Sequence, residues 1–218
     1  MKPLKHMIIK TKRILQYKFL KLIENARGLD TLKYVNVEEL GFSHVAGYRY
    51  EHTKKKCLRE VLKKMNISEE DSIVDLGSGK GVALIEFARY PFKKIAGVEL
   101  SNILLNICRN NLERLNIKNV ELHCMNASGF KQFEEYNYIY MYNPFPEAVM
   151  KKVLSNLKAT IEKSIKPIYI IYKYPTCHKA ILDSGYFEDI MEFKNKNTVY
   201  PLADYIIVYR SLTECISY

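Results

Sequence analysis

From residue 58 onward, short continuous apolar runs alternate with stretches in which apolar side chains recur every three or four positions. Such alternation builds buried parallel strands joined by helices. The runs lie at 73–76, 94–100, 120–125, 136–142 and 168–172. Between them, Val82, Leu84, Ile85, Phe87 and Ala88, then Ile103, Leu104, Ile107, Leu112 and Leu115, then Val149, Val153, Leu154, Leu157 and Ile161 keep helical spacing. Another helix, with Leu58, Val61, Leu62 and Met65 on one face, precedes the first run, and Ser101 stands where a helix N-cap belongs. His178 to Asp183 reads as a short helix ended by Gly185. The last two runs, 187–193 and 204–209, have no helical pattern between them, only a polar connection with Asn195, Asn197 and Pro201, which suggests a hairpin. Tyr138, Tyr140 and Tyr142 share one face of a strand and are expected in the core; His123, in mid-strand, is expected to be packed rather than reactive.

The N-terminal segment has a different pattern. Leu4, Ile8, Leu15, Phe19 and Leu22 fall on one stripe of a helix over 4–23, with Lys10, Arg13 and Lys21 opposite; Ile9 and Leu20 lie off the stripe. The simpler expectation is that this stripe docks on the core. A basic amphipathic helix can instead lie on an anionic membrane or follow nucleic-acid phosphates. Residues 41–53 then show little periodicity but many glycines, aromatics and polar groups, the composition of a functional loop.

The run at 73–76 leads directly into Gly77, Ser78, Gly79, Lys80 and Gly81, and a helical pattern begins at Val82. This is strand, tight turn, helix, with glycines where the backbone needs positive φ or close approach and with the helix's unpaired N–H groups aimed at the same place. A dinucleotide fingerprint counted from Gly77 needs glycine at 82, where Val82 stands, and no P-loop pattern can be written. The spacing that remains is acid-x-G-x-G-x-G from Asp75. Glu99 ends the second run 18 residues beyond Gly81, where an acid can accept both hydroxyls of a ribose.

Charge and cysteine content narrow the picture. The formal charge of the 218-residue chain is +10, but residues 1–23 hold seven Lys and Arg and no acid, which leaves an excess of only three elsewhere. A case for nucleic acid or an anionic membrane therefore rests on that segment. Five cysteines, odd in number and widely spaced, match no zinc or redox pair and read as buried or incidental thiols in a cytoplasmic protein; no metal site is expected. The organisation expected is a basic helical extension over 1–40 and one catalytic domain over 41–218.

The motif Asp75-x-Gly77-x-Gly79-x-Gly81, followed by Glu99, Leu100 and Ser101 and later by Asn143, Pro144 and Phe145, resembles the class I S-adenosylmethionine-dependent methyltransferases. Within that class it is similar to a small prokaryotic group distantly like the non-SET histone lysine methyltransferases. The resemblance implies a Rossmann-like, doubly wound seven-stranded α/β sheet with an antiparallel last strand. It implies S-adenosylmethionine held by Asp75, Gly77, Ser78, Gly79, Gly81, Glu99, Leu100, Asn126, Ala127 and Asn143. At 126 the family usually has an acid facing the adenine amino group; Asn126 keeps only the acceptor oxygen. Amino-methyltransferases of this fold carry Asn-Pro-Pro-aromatic where this chain has Asn143-Pro144-Phe145-Pro146. That departure leaves the planar-nitrogen acceptor of those enzymes open. Asn143 and Tyr50 are the catalytic candidates. Tyr48, Tyr50 and Thr53 are candidates to cover the cofactor, and Tyr50, Glu51 and His52 to take a proton. The reading is methyl transfer to an unidentified acceptor, such as a nitrogen of a protein or small molecule. The alternatives are an RNA or DNA methyltransferase using the basic helix and a non-catalytic cofactor-binding accessory protein.

Overall fold

The structure is a computed structural model that describes residues 2–40, 50, 52–53, 55–194 and 204–212, the side chains of 2–10, 12, 13, 16, 37 and 38 excepted. Seven strands form one sheet: β1 (Ser72–Leu76), β2 (Lys94–Glu99), β3 (Val120–Cys124), β4 (Tyr138–Tyr142), β5 (Tyr169–Lys173), β6 (Phe187–Lys194) and β7 (Tyr205–Ser211), in the order β3-β2-β1-β4-β5-β7-β6. Strands β1 to β5 are mutually parallel, and β7 enters antiparallel between β5 and β6. The late hairpin expected from the sequence is thus present, with its second strand inserted inward.

The central strands are apolar without alternation because both faces of the sheet are covered. Val74, Leu76, Ile139, Met141 and Ile170 point to the side of α6 (Glu147–Ile161) and α7 (His178–Asp183). Ile73, Ile95, Tyr138, Tyr140 and Ile171 point to the side of α3 (Lys55–Leu62), α4 (Val82–Phe87) and α5 (Asn102–Arg114). Of the expected tyrosine face, Tyr138 and Tyr140 are core and Tyr142 is half-buried against it: Tyr140 meets Phe87 edge-on at 5.4 Å and Tyr138 meets Phe92 at 5.7 Å. His123 packs edge-on against Phe130 at 5.7 Å, as expected. Arg59 of α3 holds the buried Glu86 of α4 through two nitrogens, at 2.6 and 2.9 Å, so the helices flanking the first βα turn are fixed to each other.

Helix α1 runs from Lys2 to Arg27, longer at both ends than the stripe suggests. Gly28, at φ +63°, ends it, and the Leu29 N–H reaches back to the Glu24 carbonyl, a glycine-terminated C-cap. The expectation that the stripe docks on the core does not hold: Leu15, Phe19 and Leu22 are 62%, 62% and 68% exposed. Periodicity reports only that one face is apolar, and here α1 reaches the domain through its C-terminal end. There Glu24 is buried and accepts the N–H groups of Thr31 and Leu32.

The segment after α1 is fastened to the glycine turn. Lys80, fully buried, donates to the Asp30 carboxylate at 2.6 Å and to the Lys33 carbonyl at 2.9 Å. Asn111 of α5 donates to the carbonyls of Asp30 and Lys80 at 3.0 Å each and accepts the Asp30 N–H. Val35, Leu40, Tyr50 and Leu104 close a small apolar cluster over the same edge, with α2 (Val37–Leu40) held by Ser101 through the Leu40 carbonyl. The Asp30→Ala variant leaves the Lys80 ammonium with one carbonyl acceptor. Because Asp30 itself is partly solvated, the expected loss is about 1–3 kcal/mol, below that of breaking a fully buried pair. Urea unfolding measures it, and an unchanged midpoint would contradict the latch.

Candidate active site at the glycine turn

Gly77, Gly79 and Gly81 all sit in the left-handed region, at φ +87°, +53° and +82°. Each also faces another part of the protein at a distance that no side chain tolerates. A Cβ on Gly77 would stand 2.4 Å from Pro144 Cβ, one on Gly79 2.7 Å from the Tyr50 ring, and one on Gly81 2.5 Å from Cys108 Sγ. Conformation and space thus require glycine at the same three positions. The turn is pinned to β2, because the N–H groups of Gly77 and Ser78 donate to the Val98 carbonyl at 2.8 and 3.0 Å. Gly97 in β2 makes this close approach feasible, since a Cβ there would meet Ser78 at 2.9 Å. The Cys108 thiol, packed under Gly81, is pushed up to about 12 by burial and is chemically quiet.

Two carboxylates define the polarity of the site. Glu99 is buried at the carboxyl end of β2; one oxygen accepts the Gly79 N–H at 2.9 Å and the other the Ser101 N–H at 2.8 Å. The Leu100 backbone adds a third hydrogen bond to the carboxylate, so its orientation is fixed from within the protein, and a carboxylate held this way is of the right chemistry to accept from a ribose diol. Asp75, also buried, has Oδ1 without a hydrogen-bond partner among the described residues, and so does Ser78 Oγ. A buried carboxylate oxygen with no donor is costly unless a ligand supplies one. Burial, and for Asp75 the neighbouring Glu99 charge, raises both carboxyl pKa values above the ordinary range. A ligand with an ammonium and a ribose fits this pair, and S-adenosylmethionine has both.

The remaining expected residues divide into those brought together here and those with other duties. Ala127 is buried and Leu100 half-buried beside the turn after β2. Asn126 caps a 3-10 turn: its amide oxygen accepts from the Ser128 N–H at 2.9 Å and the Ser128 hydroxyl at 2.8 Å, so an adenine amino group would compete for it. Asn143 ends β4 in the left-handed region at φ +37°, with its N–H on the Lys173 carbonyl and its Oδ1 accepting from the Thr176 hydroxyl at 2.5 Å. Phe145 is buried in the core and offers no ring to a substrate.

Tyr50 lies against Gly79, yet it is poorly suited to take a proton. Its hydroxyl donates to the Thr31 carbonyl at 2.6 Å, and burial together with Asp30 and Glu24 raises its pKa well above 10. That makes it a wall of the site rather than a base. His52 Nδ1 is 3.1 Å from the same carbonyl, which can only accept, so Nδ1 carries the hydrogen and Nε2 keeps a lone pair. Burial, with the Lys55 and Lys173 charges adding to it, lowers the His52 pKa and keeps the ring neutral. Tyr48 and Glu51 lie outside the described residues, as do the 195–203 connection and Cys215. Sequence reasoning missed Lys80, Asn111 and Lys173. Lys173 is buried at the end of β5, paired in register with Tyr142, whose ring centroid is 4.0 Å from its ammonium. A lysine inside a glycine turn and a lysine closing an apolar strand were the available signals.

The methyltransferase domain family model matches residues 67–202, more than half of the chain, and the chain belongs to that family. It is 31% identical over 140 residues to an rRNA adenine N-6-methyltransferase of Streptococcus pneumoniae, covering 64% of this chain and 51% of that protein. Over 57 residues it is 37% identical to EEF1A lysine methyltransferase 2 of Danio rerio, covering 26% of this chain and 24% of that protein. The chain therefore spans about half or less of the length of these relatives. Among solved structures, an RNA methyltransferase from Salinibacter ruber in complex with S-adenosyl-L-homocysteine superposes with a TM-score of 0.52 at 17% identity, over 74% of this chain and 94% of that one. That likeness is one of fold.

Glu99 accepts two hydroxyls well only when ionised, so its assignment to the ribose predicts affinity for S-adenosylhomocysteine that is full above its raised pKa and lost as pH falls through it. Stability of the unliganded protein has the opposite sign for Glu99 and Asp75: their contribution is present at low pH and lost as pH rises through the raised values. The ligand-induced rise in Tm should shrink on acidification while the pH is still above the ordinary glutamate value of 4.5. A rise that stays constant down to that value would contradict the assignment.

Proposed function

We propose that this chain is a methyltransferase that uses S-adenosylmethionine to methylate a nitrogen of a protein or small molecule presented at the Asn143–Pro144 turn. The carrying observation is the contact of Pro144 with Gly77, which puts the end of β4 directly against the cofactor turn. Bound in the cradle of Asp75, the glycines and Glu99, the cofactor supplies a methyl group already activated on a sulfonium. This chain's part is then chiefly positional, and alignment of reactants is worth up to about 7–11 kcal/mol. Asn143 Oδ1, held by Thr176, has a second lone pair for an acceptor N–H. His52 Nε2 is the proton acceptor for an amine that arrives protonated.

The RNA reading draws support from the rRNA methyltransferase relatives and the basic α1. Burial of Phe145 counts against it, because a flat base then lacks the aromatic face at this turn that the resemblance calls for. We assign residues 1–40 as an extension to a catalytic domain over 41–218, and a cytoplasmic setting in keeping with the buried thiols Cys57, Cys108 and Cys177, none of them in a disulfide.

With an identified acceptor, Asn143→Ala should lower turnover roughly a hundredfold while S-adenosylhomocysteine affinity changes by only about a factor of three. His52→Gln should slow transfer and remove the acidic limb of the pH–rate profile, which in the native protein lies below the ordinary imidazole value of 6.5. Equal turnover in both variants, measured by radiolabelled methyl transfer, would contradict these roles.

A further inference from the structure

Helix α1 presents a contradiction in ordinary soluble terms. Leu15, Phe19 and Leu22, one stripe of the helix, are each more than three-fifths exposed, and Ile14 and Tyr17 are about half exposed. Nothing among the described residues covers them. The same segment, residues 1–23, carries seven Lys and Arg with no acid, and the first acid, Glu24, is buried at the junction with the domain. By helical spacing Lys18 borders the stripe on one side and Lys12 on the other, with Lys10, Arg13 and Lys21 behind.

We propose that α1 docks on an anionic lipid surface, with Leu15, Phe19 and Leu22 in the headgroup–acyl boundary and the flanking lysines on lipid phosphates and carboxylates. Both halves of the observation are needed for this choice. A helix that follows RNA phosphates gains from its cations but leaves the apolar stripe in water. A second copy could cover the stripe, but pairing two such helices brings seven cations against seven with no acid between them. A bilayer with acidic headgroups satisfies the stripe and the charge together. Among the described residues no helix is long and apolar enough to cross a membrane, so α1 lies on the surface rather than spanning it.

The attachment gives the binding a direction. The C-terminal end of α1 is tied through Glu24, Thr31 and Asp30 to Tyr50 and Lys80, which are part of or touch the glycine turn. A surface-bound helix therefore holds the carboxyl edge of the sheet, not its opposite edge, nearest the lipid. The proposal concerns lipid binding and stands apart from the methyl-transfer reading.

The test is flotation of the full-length protein with vesicles of phosphatidylcholine alone and of phosphatidylcholine mixed with phosphatidylserine. A variant carrying Leu15→Gln, Phe19→Gln and Leu22→Gln, which keeps every charge, is compared in parallel, and urea unfolding checks that its domain is intact. The native protein should float with the anionic vesicles, less so as salt rises, and the variant should bind at least about tenfold more weakly. Binding to neither vesicle type, or equal binding of variant and native protein, overturns the proposal. So does salt-sensitive RNA binding that the variant retains without vesicle binding, which would mean a phosphate-following helix. Self-association in sedimentation that the variant abolishes, again without vesicle binding, would assign the stripe to a second copy. S-adenosylhomocysteine binding retained in any of these cases leaves the catalytic reading unaffected.

Discussion

The structure depends on the close approach of three chain segments to one glycine turn. Gly77 admits Pro144 from the end of β4, Gly79 admits Tyr50 from the N-terminal side, and Gly81 admits Cys108 of α5. A Cβ at any of these positions would push one segment away, so the turn brings together Tyr50, the end of β4 and α5 at the carboxyl edge of the sheet. Doubly wound sheets bind ligands at that edge because the strand order reverses there, and here β1 lies between β2 and β4. The buried Glu99 and Asp75 then supply acceptors where water is excluded. Their raised pKa values express the cost of keeping such groups ready for a charged ligand.

Fixing the turn also ties the N-terminal segment to the site. Lys80 could have pointed into solvent like most lysines; instead it is buried on Asp30 and the Lys33 carbonyl, with Asn111 bonding both backbones. Tyr50 and His52 meet at a single acceptor, the Thr31 carbonyl, so one backbone oxygen holds a wall of the site and sets the tautomer of its candidate base. Movement of α1 would therefore be felt first at residues that belong to or touch the glycine turn.

Much of this was readable because it is local. Apolar runs and helical spacing gave the strands and helices, and three alternate glycines between an acid and a helix gave the turn. Ser101 does cap α5, accepting the Leu104 N–H, and Gly185 does follow α7 in the left-handed region. What was not readable is set by contacts between distant residues. The Lys80–Asp30 pair spans 50 positions and the Asn111–Asp30 bonds span 81, and no local pattern announces either. Phe145 was legible only as an aromatic one position earlier than in the related motif; that the following proline starts α6 at once and the ring turns into the core was not. The stripe of α1 was visible as a period, whereas what it faces is decided only by where the chain leaves it, at Gly28.

The account stands on the claim that the turn and its two acids hold S-adenosylmethionine. Isothermal titration of the native protein and of Glu99→Ala with S-adenosylhomocysteine tests this most directly. Two hydrogen bonds to a charged acceptor are at stake, so the account predicts one site per chain, with affinity falling roughly ten- to a hundredfold or more in the variant. No heat from the native protein at millimolar ligand, or equal affinity in the two proteins, would contradict it and leave the glycines as packing devices alone.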